Sequence, residues 1–374
     1  MSGESNVGFQ FAICAGGTGG HLFPAQALSA ELQRRGHRIV LLTDERGLRF
    51  GDTFPCDEIV QIPSSTLSPR APLKALSGLK EIVSGVFKAQ KIFKSSSFCA
   101  VVGFGGYPSL PPMVAARLLG LPICLHEQNA VMGRANRFLS RFATVLATSF
   151  ENTQKVRVRG KLRITTTGNP VRQQVIDLRN SPYTPAFGEE EFKLLVFGGS
   201  QGASIFGDVM PVALALLPEM SKKRLKVTQQ CRQEDIDKVK TAYGDAGIEA
   251  EVAAFFSNLP ERMAISHLVV SRSGASTLSE LTVIGCPAVL VPLPGALDND
   301  QRENARVLEA QGGAWVVEQS EFKPDRVAKL LDKLMNEPDL LVAAAHVAHK
   351  IGKPDAAMLL ADAVEEIAQI QEGK

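Results

Sequence analysis

Short apolar runs alternate with longer amphipathic segments along almost the whole chain. The first half carries the runs FQFAICA, HRIVLLT, EIVQI, CAVVGFG, PICLHE and TVLATS, and the second half carries KLLVFG, LKVTQQC, IEAEVAAF, HLVVSR, PAVLVP and AWVVE. Most of these runs are separated by segments with helical spacing. Strands that alternate with helices form parallel sheets covered by those helices, so the pattern predicts an α/β fold.

Two of the apolar runs lead into similar glycine loops. AICAGGTGG and LLVFGGSQG share a run followed by two glycines, a hydroxyl residue, one further residue and a glycine. Gly16 corresponds to Gly198, an offset of 182. The repeat predicts two Rossmann-like domains in tandem, each opening with a strand, a glycine loop and a helix.

We place the domain boundary in TTTGNPVR, so that the first domain spans 1–168 and the second spans 169–355. A second linker candidate is GKPDAA, at 352–357. The final helix, 356–374, is predicted to pack back on the first domain.

Three glycine loops, at 16–20, 103–107 and 198–202, follow predicted strands. Glycine permits positive φ and lets backbone N–H groups approach an anion, and a following helix adds its dipole. A tight turn without a ligand is the alternative for any single loop. The dinucleotide fingerprint fails because Leu22 stands where its last glycine belongs, and the phosphate-loop pattern of nucleotide hydrolases is absent. Nicotinamide enzymes and such hydrolases are therefore disfavoured.

A polar segment, SRSGASTLSE at 271–280, follows the run HLVV. Its SGAS can start an anion-binding helix. Glu280 falls about a turn and a half into that helix, where a carboxylate can accept both hydroxyls of a ribose, although a solvated glutamate is the alternative. The loop Asp298-Asn299-Asp300-Gln301 suits sugar hydroxyls, or is simply a turn.

Composition narrows the class of protein. The 374 residues are 45% hydrophobic and 21% charged, as in ordinary globular proteins. Six scattered cysteines without a CxxC pair indicate reduced core residues rather than metal ligands. The net charge of +2 divides into +10 for 1–168 and −8 for 169–374, so the first half is predicted to face an anionic partner. Neither a secretory signal nor a membrane-spanning apolar stretch is recognised.

Seven motifs occur in the order seen in one family: GGTGGH, GGY, LHEQN, GNPVR, GGSQGA, RSGASTLSE and the late Gln301. Over about 10–365 the chain resembles the MurG family, the UDP-N-acetylglucosamine:undecaprenyl-pyrophosphoryl-MurNAc-pentapeptide N-acetylglucosaminyltransferases. The resemblance implies glycosyltransferase-B architecture, with two Rossmann-like domains whose parallel sheets face a cleft. The first domain would take lipid I at the membrane, and the second would hold UDP-GlcNAc.

The reaction that the resemblance implies is an inverting transfer of GlcNAc to the C4 hydroxyl of MurNAc in lipid I, which forms lipid II for peptidoglycan synthesis. No cofactor and no metal are expected. The implied substrate-binding residues, running from the first glycine loop to the late glutamine, are Thr18, Gly19, Gly20, Asn129, Arg172, Ser200, Phe256, Ala275, Ser276, Thr277, Leu278, Ser279, Glu280 and Gln301.

The resemblance also implies how the donor is divided among these residues. Ser200 would contact the UDP, the backbone of Phe256 would read the uracil edge, and Arg172 would reach the donor from the linker. The segment 275–280 would cradle the phosphates and ribose, and Gln301 would bind the GlcNAc hydroxyls.

The attacking hydroxyl needs a general base, for which we prefer His21 because it follows the first glycine loop. A residue that only shapes the loop is the alternative role. Glu127, in LHEQN, is the competing base.

The segment PLKALSGLKEIVSGVFKAQKIFK, at 72–94, indicates a contact with the membrane. It places Leu76, Leu79, Val83, Val86 and Phe87 at helical spacing among five lysines and one glutamate. Such a surface suits anionic headgroups. Since lipid I is membrane-bound, the resemblance implies a peripheral protein on the cytoplasmic face of the inner membrane. A crossover helix packed on the sheet is the alternative. A second basic stripe, Arg134, Arg137 and Arg141, suits the same headgroups or the pyrophosphate of lipid I, or is solvated.

Other functions remain open at this point. A different UDP-sugar glycolipid transferase, or an epimerase, would keep the donor motifs without needing GGTGGH and LHEQN. A non-catalytic nucleotide-sugar sensor would keep them without turnover. Nucleic acid is disfavoured as a partner, because no motif for it is present and the chain has only three tyrosines and one tryptophan for stacking. A cell-wall synthesis complex is the expected protein partner.

Overall fold

The computed structural model describes residues 8–17, 19–48, 54–65, 72–158, 160–199, 202–296 and 298–372, with side chains omitted at 72–76 and 371–372. Two of the predicted site residues, Thr18 and Ser200, lie outside the described residues. The chain divides into two compact units, one of Met1–Arg172 with Pro354–Lys374 and one of Gln173–Lys353.

The first unit contains a seven-stranded parallel sheet in the order β3-β2-β1-β4-β5-β6-β7. Its strands are β1 (Gln10–Cys14), β2 (Arg38–Thr43), β3 (Glu58–Gln61), β4 (Ala100–Gly103), β5 (Ile123–Glu127), β6 (Val145–Thr148) and β7 (Arg163–Thr166). Its helices are α1 (Gly19–Arg34), α2 (Glu45–Leu48), α3 (Pro72–Ser95), α4 (Leu110–Leu119), α5 (Arg134–Leu139) and α15 (Ala356–Glu372).

The central strand β1 is buried on both faces, as the continuous apolar run FQFAIC predicts for a parallel sheet. Phe11 and Ile13 join a core beneath α1 and α15, while Ala12 and Cys14 join a second core beneath α3 and α4. Alternating side chains thus tie the glycine loop that follows β1 to helices on both faces.

Helix α15 belongs to the first unit although it ends the chain. Leu360, Val364 and Ile367 are buried against the sheet, and Arg35 donates from Nη1 to both Asp362 and Glu365 at 2.6 Å. Full burial of an aliphatic side chain contributes roughly 1.5 to 3 kcal/mol. The three apolar side chains therefore hold α15 more strongly than the ion pair of Arg35 with the exposed Asp362 does.

Strand β7 was absent from the sequence prediction. Its residues, RITT, are mostly exposed because it is the edge strand beside β6. One charged and two hydroxyl side chains give no apolar run, so the local pattern does not predict a strand here.

The second unit repeats the arrangement with a six-stranded parallel sheet in the order β10-β9-β8-β11-β12-β13. Its strands are β8 (Phe192–Phe197), β9 (Leu225–Gln230), β10 (Glu249–Ala253), β11 (Leu268–Ser271), β12 (Ala288–Leu290) and β13 (Ala314–Val316). Its helices are α6 (Gln173–Asp177), α7 (Ser204–Ala215), α8 (Glu219–Lys223), α9 (Ile236–Asp245), α10 (Leu259–Ile265), α11 (Ala275–Ile284), α12 (Asp300–Glu309), α13 (Pro324–Asn336) and α14 (Pro338–Ile351).

In the first unit β1 lies between β2 and β4, and in the second unit β8 lies between β9 and β11. The strand order reverses at β1 and at β8, and open α/β sheets bind ligands at such a topological switch point. The predicted fold class is confirmed. Over the described residues, no helix has the length and apolarity needed to span a bilayer.

Candidate active site

The first glycine loop closes tightly at the carboxyl end of β1. Gly17 has φ of +85°, and a Cβ on Gly16 would lie 2.7 Å from Oδ1 of Asp44. Gly17 N–H donates to the same oxygen at 3.1 Å. The end of β2 therefore fixes the loop from behind, and both positions require glycine.

The second glycine loop lies beside His21, near the start of α1. Gly105 and Gly106 have φ of +81° and +74°, and a Cβ on Gly106 would lie 3.4 Å from Cδ2 and Nε2 of the His21 ring. The absence of a side chain at Gly106 thus lets the backbone of this loop approach the imidazole. The structure brings His21 together with two of the three glycine loops.

A hydrogen-bond chain sets the tautomer of His21. Nε2 of His126 lies 3.0 Å from the Gly168 carbonyl, which can only accept, so Nε2 carries the proton and Nδ1 accepts. Gln128 Nε2 donates to that Nδ1 at 3.1 Å and to the Phe104 carbonyl at 3.0 Å. Its Oε1 is therefore the atom that lies 3.3 Å from His21 Nδ1 and accepts the proton there.

It follows that His21 Nε2 carries the lone pair, as a general base requires. His126 stabilises this arrangement because it stays neutral. It is completely buried, and burial lowers its pKa to about 4 despite the opposing bond from Gly168. The chain of bonds would reverse or break if His126 were charged.

Glu127, the competing base, is occupied within its own loop. Its Oε1 accepts from the Asn129 N–H at 3.0 Å, and its Oε2 accepts from the Gly133 N–H at 2.9 Å and from Asn136 Nδ2 at 2.8 Å. The residue is 1% exposed. Burial raises the pKa of Glu127, while these donors oppose the rise. The position favours a carboxylate that shapes the 127–136 loop, with Asn129 held at its start.

Arg172 is the last residue of the first unit. Its guanidinium stacks 4.3 Å over the ring of Phe23, and that ring touches Gly19, where a Cβ would lie 2.9 Å from Cε2. Gly20 follows in the first turn of α1. Arg172 and the first glycine loop are therefore neighbours, a relation that their separation in sequence does not predict.

A basic cavity of about 540 Å³ lies at α5. It is lined by Arg134, Arg137, Phe138, Ser140, Arg141, Lys155 and Arg157. Among these described lining residues five are cationic and none is acidic. The predicted stripe of three arginines is therefore part of a larger cationic surface.

Helix α3 carries two apolar faces. Ile82, Ala89 and Phe93 are buried in the core, whereas Leu79, Val83 and Phe87 are 51%, 45% and 67% exposed at a spacing of four residues. Val86 packs partly on the core, and the side chain of Leu76 lies outside the described residues. The exposed face is surrounded by exposed lysines, at 80, 88, 91 and 94. Packing on the sheet thus accounts for only one of the two apolar faces.

In the second unit the repeated glycine loop is equally tight. A Cβ on Gly198 would lie 2.4 Å from the Ala203 nitrogen, and Gly199 and Gly202 have φ of +82° and +67°. The Gly202 N–H donates to the Gly199 carbonyl at 3.0 Å, just before α7 begins.

Helix α11 begins at Ala275, after Gly274 in extended conformation, at the carboxyl end of β11. Ala275, Leu278 and Glu280 are buried, while Ser276, Thr277 and Ser279 are partly exposed. Ser279 Oγ donates back to the Ala275 carbonyl at 2.9 Å. The first-turn N–H groups of this ten-residue helix lie at the segment for which SGAS predicts anion binding.

Gln301 is fixed from two sides. Its Oε1 accepts from the Leu293 N–H at 3.0 Å, and its carbonyl accepts from Ser273 Oγ at 2.8 Å. Asn304 Nδ2 donates to the Ser273 carbonyl at 3.3 Å. Because Oε1 is held by Leu293, the side chain offers its NH2 group as a donor to a ligand.

Phe256 is held by Arg262, whose guanidinium lies 4.3 Å from the centre of the ring. Arg262 also donates to both carboxylate oxygens of Glu251, at 2.6 and 2.8 Å, and to Asn258 Oδ1 at 2.9 Å. The neighbouring Phe255 is 75% exposed. The backbone at Phe256 is therefore anchored to β10 and α10.

Several residues that organise these sites have no role predicted from the sequence, namely Asp44, Gln128, Arg262, Ser273 and Asn304. For Gln128 a signal existed: it lies two residues after His126, and strand periodicity places alternate side chains on one face. The other four residues meet their partners only in the folded protein, and no local sequence pattern marks them. Among the described residues, no group of three or more His, Cys, Asp or Glu side chains could hold a metal ion.

Family models match both units. The N-terminal domain of glycosyltransferase family 28 matches residues 11–148, and the C-terminal domain of the same family matches residues 193–360.

Curated relatives match nearly the whole chain. A protein of Brucella abortus (strain S19) is 49% identical over 98% of this chain and 96% of its own, and one of Mesorhizobium japonicum is 50% identical over 95% and 94%. Both are named UDP-N-acetylglucosamine–N-acetylmuramyl-(pentapeptide) pyrophosphoryl-undecaprenol N-acetylglucosamine transferase. Among solved structures, Acinetobacter baumannii MurG superposes with a TM-score of 0.76 at 32% identity, covering 96% of this chain and 99% of that one.

Proposed function

The chain belongs to glycosyltransferase family 28, as a member of its MurG group, and from this we propose that it transfers GlcNAc from UDP-GlcNAc to lipid I and forms lipid II. Near full-length identity of 49% to proteins named for this transfer carries the assignment. The alternatives, another UDP-sugar transferase, an epimerase or a sensor, have no comparable support.

The hydrogen-bond chain supports His21 as the base. In the reaction the C4 oxygen of MurNAc forms a bond to C1 of GlcNAc, the bond from C1 to the diphosphate oxygen breaks, and UDP departs with the electron pair. The hydroxyl proton passes to His21 Nε2, while Gln128 keeps Nδ1 protonated. The imidazolium that results retains its bond to Gln128.

The second unit supplies donors for the departing diphosphate. The first-turn N–H groups of α11 are fixed before the reaction, so they stabilise the developing charge without reorganisation. We assign the phosphates and ribose to 275–280, with Glu280 on the ribose hydroxyls, and the UDP also to Ser200. Gln301 donates its NH2 to a GlcNAc hydroxyl, the backbone at Phe256 binds uracil, and Arg172 carries a further positive charge for the donor. Thr18, Gly19, Gly20 and Asn129 are proposed to line the site.

The assay that tests this function combines purified protein, labelled UDP-GlcNAc and a lipid I analogue. We expect a disaccharide lipid and one UDP for each transfer. UDP-GlcNAc binding without transfer would indicate a sensor, and epimerised UDP-sugar without disaccharide would indicate an epimerase.

We further propose that α3 and the basic cavity at α5 attach the enzyme to anionic lipid at the cytoplasmic face of the inner membrane, where it can join a cell-wall synthesis complex. The exposed Leu79, Val83 and Phe87 provide the apolar contact, and the surrounding lysines provide the charge. Both features together distinguish this surface from a solvated helix face.

Reversing the charge of Lys88, Lys91 and Lys94 to glutamate should weaken binding to vesicles containing anionic phospholipid by roughly 100-fold or more, because each lysine near such a surface contributes about 1 kcal/mol. Sedimentation with vesicles at fixed salt measures the loss. Glutamates at the exposed Lys240, Lys329 and Lys350 of the second unit are the matched control. Equal binding by the two triple variants would refute the α3 surface.

A further inference from the structure

A buried carboxylate lies directly behind the first glycine loop. Asp44, 8% exposed, accepts with Oδ1 from the N–H groups of Gly17 at 3.1 Å and Gly47 at 3.0 Å. The Gly17 N–H is thus committed to a protein carboxylate rather than offered to a phosphate. The negative charge of Asp44 would also repel an anion at this loop.

Arg46 compensates that charge from the open side. Its Nε donates to Asp44 Oδ2 at 3.1 Å, and its Nη2 lies 3.5 Å from the point where a Cβ of Gly17 would stand. The Arg46 side chain is 61% exposed. A guanidinium has five N–H donors in a fixed fork, and the bond to Asp44 uses the one on Nε. The terminal nitrogens therefore lie over the glycine loop and in contact with water.

We propose that Arg46 binds the diphosphate of the acceptor lipid at the first glycine loop, and that Asp44 positions its guanidinium there. The proposal rests on the proposed function, since it names a residue that holds one of the two substrates of that reaction. It assigns to this loop a side-chain cation in place of a nest of backbone N–H groups.

Two observations favour this role over a surface ion pair. The Arg46 guanidinium is 61% exposed, so water screens its ion pair with the buried Asp44 on the arginine side, and the pair contributes little to stability. Among the residues in contact here, Gly16, Gly17, Gly106, His21, Asp44 and Arg46, only Arg46 is a permanent cation. A diphosphate beside His21 requires such a charge, and arginine binds phosphate oxygens in a bidentate manner.

The diphosphate of the acceptor matches the first glycine loop better than the diphosphate of the donor does, because the donor has candidate sites of its own. The second unit offers the start of α11 and its own glycine loop to UDP. The first loop has its Gly17 N–H engaged and Arg46 above it. The kinetic constants for the two substrates should therefore respond to different residues.

The test compares Arg46→Ala and Arg46→Lys with Arg34→Ala, a charge-matched control at an exposed arginine of α1. For Arg46→Ala we expect the KM for a lipid I analogue to rise roughly 10- to 100-fold, as for loss of a hydrogen bond to a charged group. The KM for UDP-GlcNAc and the melting temperature should stay at wild-type values. Lysine should restore part of the affinity, and Arg34→Ala should behave as wild type.

An acceptor analogue with a neutral linker in place of the diphosphate shows whether the effect of Arg46 depends on the diphosphate of the acceptor. With it, Arg46→Ala and wild type should have equal KM. A rise that persists with the neutral analogue would overturn the proposal, as would a rise confined to the KM for UDP-GlcNAc or no rise at all.

Calorimetric binding of the diphosphate analogue without donor provides a readout that does not need turnover. Weaker binding by Arg46→Ala supports the proposal even if the wild-type enzyme transfers nothing, a result that would refute the proposed function alone. Equal binding by both proteins would refute the role of Arg46.

Discussion

Replacing His21 with alanine should lower kcat by roughly 100- to 10,000-fold, the contribution typical of a positioned general base. The KM for UDP-GlcNAc should change little, because the groups assigned to the donor lie mainly in the second unit. The physical reason is the proton on the attacking hydroxyl, which without Nε2 must pass to water. Steady-state kinetics with both substrates varied measures the effect, and His346→Ala, an exposed histidine of the second unit, is the control.

A companion variant tests the tautomer. Gln128→Leu retains His21 but removes the oxygen that accepts its Nδ1 proton, so part of the population should place the proton on Nε2. We expect kcat to fall, by less than in His21→Ala. Near-normal turnover by His21→Ala would remove His21 from the mechanism and leave it a role in shaping the loop.

Replacing Glu127 with glutamine should destabilise the fold by about 2 to 4 kcal/mol, since an amide NH2 would meet buried N–H donors that now bond to the carboxylate. Whichever oxygen is lost, at least one backbone donor, from Asn129 or Gly133, loses its acceptor. Thermal or urea unfolding measures this change. Thr153→Ala, a substitution in a half-buried surface loop, serves as the control for unfolding.

The same variant separates the two candidate bases. If Glu127 shapes its loop, the folded variant should keep more activity than His21→Ala, with a lower melting temperature. The reverse result, an unchanged melting temperature with a kcat as low as that of His21→Ala, would make Glu127 the base.

Much of the fold followed from local pattern. Apolar runs of strand length separated by helical segments predicted two parallel sheets. Strands β1 and β8, which lead into the two repeated glycine loops, agree with the predicted runs to within one residue at each end. Strand β7 was missed because an edge strand needs no apolar run on its outer side. The units divide after Arg172 and Lys353. Both divisions fall in segments between secondary-structure elements, and both segments contain glycine and proline.

The candidate site was predictable only in part. His21 and the glycine loops were identifiable because each lies within one contiguous motif. Gln128 lies 107 positions from His21, and Asp44 lies 27 from Gly17, so their hydrogen bonds depend on adjacent strands placing their ends together. For α3 the sequence left membrane and core as alternatives, and burial of Ile82 and Phe93 opposite an exposed Phe87 showed that the helix has both faces.

The sequence by itself thus determined that this protein has two α/β units with glycine loops at their strand ends, because periodicity and backbone freedom are properties of neighbouring residues. Its motifs also determined the family. The tertiary structure decided which nitrogen of His21 can accept a proton, which oxygen of Gln301 is already engaged, and which cation stands over the first glycine loop. Each of these depends on hydrogen bonds between residues that only folding brings within 3.5 Å of one another.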